Sequence, residues 1–248
     1  MGRTLCVANQ KGGVGKTTTA INLAGGLALA GCRTLLVDLD PQCNATSGLG
    51  SKPTERHPLV LGIPLSQGVC PTGVPQLDLL PGSRSFRDVE TLTRDDPDQA
   101  ALLREHLLSG FSAYDYVLID CPPSLGPLTR TALASSSEVL MPIQCEYFAM
   151  EGLAQMIEVI RDVIQNDAHR LEFGGIVLTM YDHTLELTHE VDAEVRKFFG
   201  GVVFQTVIPR DVAVAEAPSH GKTVMDYSPR ARGARAYLEL CMEVLDRV

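Results

Sequence analysis

Lys11-Gly12-Gly13-Val14-Gly15-Lys16-Thr17-Thr18 lies between an apolar run and a helix-period segment, and its residue types suit the binding of a polyphosphate. Glycine at 12, 13 and 15 lets consecutive backbone N–H groups turn inward without Cβ clashes. The helix expected from Lys16 onward adds its positive end to the same anion nest. In such a nest Lys16 neutralises β- and γ-phosphate oxygens, the Thr17 hydroxyl ligates Mg2+, and Thr18 donates to a phosphate. Gly12, Gly13, Val14 and Gly15 supply the cradle itself.

Two acidic segments fit the same chemistry. Thr34-Leu-Leu-Val-Asp38-Leu-Asp40-Pro41-Gln42 is an apolar strand ending in carboxylates, which puts them at the carboxyl edge of a sheet, where ligands bind. Tyr116-Val-Leu-Ile-Asp120-Cys121-Pro122-Pro123 repeats the pattern, with Asp120 placed to hold Mg2+ through water. An isolated acid after a strand is ordinarily a solvated cap. Two beside a glycine cradle point instead to positioning of metal and water.

These residues need a scaffold that collects strand ends. Apolar runs at Thr4–Ala8, Thr34–Asp38, Leu77–Leu80, Tyr116–Asp120, Glu138–Pro142, Phe173–Thr179 and Val202–Thr206 alternate with helix-period segments. Those segments are Thr17–Ala30, Asp98–Ser109, Met150–Gln165, Leu187–Phe199 and Arg230–Leu245. The alternation predicts an α/β fold, a doubly wound and mainly parallel sheet with helices on both faces. Ser51–Gly73, with its prolines and glycines, is expected to be mostly loop or short helix.

A chain of 248 residues, 45% hydrophobic and 21% charged, suits one large domain spanning 1–248 and excludes a disordered chain. Seven cysteines without a C-x-x-C pair or zinc spacing predict reduced thiols. No leader-like segment and no apolar run of about 18 residues is seen, so a cytoplasmic protein is expected. The net charge of −9 opposes contact with DNA or anionic lipid unless a local basic patch overcomes it.

The ordinary G-x-x-x-x-G-K-[ST] expression fails at Gln10, and an additional lysine, Lys11, stands at the mouth of the loop. In this departure, and at Asn9–Thr19, Val37–Gly48, Asp120–Gly126, Pro142–Gly152 and Ala217–Lys222, the chain resembles the ParA/MinD superfamily of deviant Walker A P-loop ATPases, most closely chromosomal ParA (Soj-like) proteins. Only Ser51–Leu103 lacks a clear family signature.

That resemblance implies an ATPase using ATP and Mg2+ in a sandwich homodimer. Lys11 would reach the phosphates of the opposite subunit, the task of an arginine finger elsewhere. Asp40 would orient the attacking water, so Lys11, Lys16 and Asp40 are the expected catalytic set, with Thr17, Asp40 and Asp120 around the metal. Pro209 and Asp211 fall at the family's adenine-contacting segment, with aspartate where chromosomal ParA proteins usually carry asparagine.

The resemblance also implies a ParB-like stimulating partner and nonspecific DNA binding through surface arginines. At two of those positions this chain has Thr184 and Ala213, and Glu186 adds a repelling charge. Lys222, Arg230, Arg232 and Arg235 remain as the candidate DNA contacts, while Arg196 and Lys197 are expected to be solvent-exposed. Partitioning, with nucleoid association, is therefore weighed against a nucleotide-gated scaffold or MinD-like regulator that does not bind DNA. A MinD-like membrane helix is not expected, because Glu239, Glu243 and Asp246 interrupt the basic face of Ala234–Val248.

Overall fold

Strands buried on both faces must be apolar along their middle, and three of the central ones are. β1 (Arg3–Val7) is buried beyond its first residue, while β2 (Thr34–Asp38) and β5 (Tyr116–Asp120) are buried at every position. The computed structural model describes residues 2–86, 104–166 and 171–247. With β3 (Cys70–Pro71), β4 (Leu77–Leu80), β6 (Glu138–Gln144), β7 (Glu172–Tyr181) and β8 (Val203–Pro209), these strands form one sheet ordered β3-β4-β2-β5-β1-β6-β7-β8. Every neighbouring pair is parallel except β3 with β4.

Side-chain alternation along the strands divides the core in two. Leu5 and Val7 face α1 (Lys16–Leu29) and the last helix, α9 (Arg232–Asp246), where Leu23, Leu27, Tyr237 and Leu240 are buried. Cys6 and Ala8 face the other layer, built from α4 (Pro127–Ala134), α5 (Ala149–Asn166) and α6 (Glu186–Phe199). Helix α1 carries glycines at 25 and 26, each costing about 1 kcal/mol relative to alanine. Close packing explains them: a Cβ at Gly25 would lie 2.7 Å from the Thr223 Cγ2, and one at Gly26 3.2 Å from the Cys241 Cβ.

The expected strands and long helices appear with ends shifted by a few residues. Within Ser51–Gly73 lie α3 (Pro58–Leu61), a 3-10 turn at Leu65–Gln67 and the antiparallel β3. Helix α4 had no expectation attached, because eight residues opened by Pro127 are too few to display a period. The expected Asp98–Ser109 helix falls partly outside the described residues; its described end, 104–109, is helical. Further short helices among the described residues are α2 (Asn44–Gly48), α7 (Val212–Glu216) and α8 (Val224–Tyr227). Among the described residues no helix is long and apolar enough to cross a membrane. Helix α9 buries its apolar face against α1.

Candidate functional site

β1 ends at the centre of the sheet, and the glycine loop leaves from there. Gly13 and Gly15 take φ of 77° and 88°, values that disfavour any side chain, and Gly15 is the residue that opens α1. Gly12 and Gly13 are exposed, and a Cβ added to either meets nothing within 4 Å. The loop is therefore open to its surroundings at both glycines. Two side chains brace it. Asn9 donates from Nδ2 to the Pro142 carbonyl (2.8 Å) and accepts the Lys11 amide (3.0 Å), while the Thr179 hydroxyl donates to the Val14 carbonyl (2.8 Å).

Inside the loop Lys16 is only 6% exposed, and its Nζ donates to the Lys11 carbonyl at 2.8 Å. Burial lowers its pKa, and the charges of Asp120, Cys121 and Asp40 oppose that shift. Asp38 and Asp120 are completely buried, and Asp40 is 5% exposed. Asp38 is tied down, with Oδ2 accepting the Thr46 amide (2.8 Å) and hydroxyl (2.6 Å) and Oδ1 accepting the Asp40 amide (3.2 Å). Burial nevertheless pushes its carboxyl up to about 6.

Asp120 is different. Neither of its oxygens has a hydrogen bond of ordinary geometry. Burial, then the Asp38 charge, raises its carboxyl well above the usual range, while the nearby Thr17 hydroxyl and Lys16 pull it back. A buried carboxylate met so weakly is costly unless something else meets it. An oxygen donor set of Thr17 and Asp120, with Asp40 beside it, fits a hard divalent cation such as Mg2+.

Lys11 points away from this cradle. Its Nζ forms an ion pair with Glu146 Oε2 at 2.6 Å, just beyond the end of β6. Tyr147 and Phe148 follow directly, 78% and 61% exposed.

Pro209 closes β8 opposite Tyr181, and Asp211 follows it. The Asp211 carboxylate caps two helices, Oδ1 accepting the Ala213 amide of α7 and Oδ2 the Gly233 amide of α9, both at 2.9 Å. A structural role thus accompanies whatever contact this segment makes with a ligand.

Lys222, Arg230, Arg232 and Arg235 are all exposed and take part in none of the ion pairs among the described residues. The turn bearing Lys222 packs on the segment after α2: a Cβ at Gly221 would lie 2.9 Å from the Gly50 Cα. Arg196 departs from expectation, since it is only half-buried at 28% side-chain exposure and pairs with Asp192 at 2.6 Å, one helical turn away. Lys197 is exposed as expected. Thr184 donates to Asp182 through its amide and hydroxyl, so that position closes a local turn.

Sequence reasoning assigned no individual role to Asn9, Thr46, Thr179 or Glu146. Asn9 carried a local signal, an asparagine two residues before a turn amide. Thr179 and Glu146 act across 165 and 135 residues, and no local spacing announces them; Thr46 reaches Asp38 only eight residues away, around the turn that leads into α2.

The AAA domain family AAA_31 matches residues 2–173. The chain is 44% identical to the sporulation initiation inhibitor protein Soj of Bacillus subtilis, over 98% of this chain and 98% of that protein. To the chromosome-partitioning ATPase Soj of Thermus thermophilus it is 48% identical, over 99% of this chain and 96% of the relative. Among solved structures, cobyrinic acid a,c-diamide synthase from Mycobacterium smegmatis with a bound ATP analog and magnesium superposes with a TM-score of 0.85 at 33% identity, covering 99% of this chain and 95% of that one. The glycine cradle, its buried lysine, the second lysine at its mouth and a kinship spanning the whole fold lead to one assignment: the chain belongs to the ParA/Soj family of chromosome-partitioning ATPases.

Proposed function

We propose that this protein is a partitioning ATPase of the cytoplasm that closes as a homodimer around ATP, engages the nucleoid and is released when a ParB-like partner stimulates hydrolysis. The observation that carries the reading is the pairing of a preformed, open-sided glycine cradle with Asp120, a buried carboxylate lacking a hydrogen bond of ordinary geometry. Bound Mg2+ would neutralise negative charge on the polyphosphate. Thr17 and Asp120 hold it in this reading, Asp120 through water. The loop from Gly12 to Thr18 wraps the phosphates, with Lys16 turning from the Lys11 carbonyl to them. Asp40 orients the attacking water, Lys11 crosses to the other subunit, and Pro209 with Asp211 borders the adenine.

DNA contact falls in this reading to Lys222, Arg230, Arg232 and Arg235; the turn bearing Lys222 packs on the segment that follows α2. Thr184 and Ala213, uncharged where family members carry arginines, favour a second reading, a nucleotide-gated scaffold or MinD-like regulator that does not bind DNA. Calorimetric titration of ATP with Mg2+ tests the common core: heat is expected with the parental chain, and Lys16→Ala should weaken binding by about 100-fold or more. Equal affinity in that variant would remove the cradle assignment. Retention on nonspecific DNA that requires ATP separates partitioning from the scaffold, which predicts dimers without retention.

A further inference from the structure

Lys11 is held at both ends on its own subunit. Its carbonyl accepts the Lys16 ammonium at 2.8 Å, and its own ammonium contacts Glu146 at 2.6 Å. The backbone between these contacts is fixed as well, through the Asn9 carboxamide, which links the Lys11 amide to Pro142. Pro142 lies within β6 and Glu146 just past its end, so both the loop and the lysine tip hang from the same strand. Glu146 is itself set by a tight turn, with its amide donating to the Gln144 carbonyl (2.8 Å) and its carbonyl accepting the Ala149 amide (2.9 Å).

We propose that Glu146 is a positioning residue that parks Lys11 on its own subunit until a second nucleotide-loaded copy of this chain arrives. The proposal rests on the reading of Lys11 as a lysine acting across a dimer. Entry of phosphate draws Lys16 off the Lys11 carbonyl, while Glu146 remains the hold on the Lys11 side chain. A single carboxylate then competes with the several negative oxygens of the partner's triphosphate, and loses once the two copies meet. The lysine and glutamate side chains are 36% and 46% exposed, so the hold is weak enough to be broken by assembly. Tyr147 and Phe148, packed edge to face with centroids 5.1 Å apart and largely exposed, extend the same segment as an apolar surface for the arriving copy.

Light scattering of the full chain during ATP titration with Mg2+ tests this. Removing the parking charge with Glu146→Gln, or with Glu146→Ala as a second variant, should lower the ATP concentration for half-maximal dimer formation by about two- to fivefold. The gap from the parental chain should close at about 0.5 M salt, where the screening length falls to about 4 Å, a response that a purely structural glutamate would not give. Glutamine and alanine variants needing as much ATP as the parent, or more, overturn the parking role while leaving the trans-lysine reading intact. If instead Lys11→Ala dimerises as readily as the parent, the trans-lysine reading itself fails and the parking role goes with it.

Discussion

Asp38 and Asp120 are register partners on the adjacent parallel strands β2 and β5, each the last residue of its strand. They are equally buried and unequally satisfied. Asp38 accepts hydrogen bonds from Thr46 and from the Asp40 amide, and the Thr46 hydroxyl in turn accepts the Gly82 amide at 2.8 Å. Asp38 thereby fastens the start of α2 to the sheet, whereas neither Asp120 oxygen has a hydrogen bond of ordinary geometry.

Replacing Asp120 with asparagine should therefore stabilise the nucleotide-free protein and impair its function. Burial raises the Asp120 carboxyl, so its ionised form weakens the fold increasingly as pH climbs above the ordinary carboxylate range. Asp120→Asn is expected to add about 1–3 kcal/mol near pH 7.5, a gain that shrinks towards pH 4, while Mg2+-dependent ATP binding falls. Urea denaturation at the two pH values checks it. A variant less stable than its parent at both would show that Asp120 has a partner in the apo fold.

Asp40 needs a different substitution. Its Oδ1 accepts the Gln42 amide at 2.8 Å, so Asp40→Ala loses one turn hydrogen bond, about 1 kcal/mol. ATP binding should survive, phosphate release should fall by about 100-fold, and dimers should persist. Phosphate release at the parental rate would withdraw Asp40 from water positioning.

Gly12 isolates the dimer from the fold. Its φ is not positive, and a Cβ there has open space within the subunit. Gly12→Val should leave the denaturation midpoint near the parental value and ATP binding measurable, yet prevent ATP-dependent dimers. Dimers of the valine variant would place the subunit contact elsewhere.

His57 gives the fold an acid limit. Its ring is fully buried, Nδ1 accepts the Leu59 amide at 3.1 Å to cap α3, and Phe86 packs edge-on at 4.5 Å. Burial, with His106 nearby, lowers its pKa from 6.5 to about 4. Below pH 6.5 the unfolded chain takes up a proton that the folded chain refuses. His57 therefore contributes stability fully above pH 6.5 that is lost as pH falls towards 4, at most about 3 kcal/mol. His57→Asn keeps a capping acceptor and should flatten this part of the stability profile; an unchanged acid slope would assign it to other groups.

Arg230, Arg232 and Arg235 bear on the choice between partitioning and scaffolding. If they meet phosphates, the triple alanine variant should weaken ATP-dependent retention on nonspecific DNA and reduce the salt slope by about 0.9 for each phosphate that is no longer neutralised. Unaltered affinity and slope would move the DNA surface away from α9.

Much of this protein follows from local sequence. An apolar run, then glycines at 12, 13 and 15, then Lys-Thr-Thr implies strand, nest and helix, because positive φ, strand burial and helix period are properties of a few neighbouring residues. The same holds for Asp38, Asp40 and Asp120, each placed by the strand it ends or follows. Tertiary structure alone decided that Asp38 is satisfied and Asp120 is not, that Asp211 caps two helices at once, and that Lys11 rests on Glu146. Those outcomes depend on which strands become neighbours and what each buried polar group finds there, and chains fold such partners together from positions that no local pattern connects.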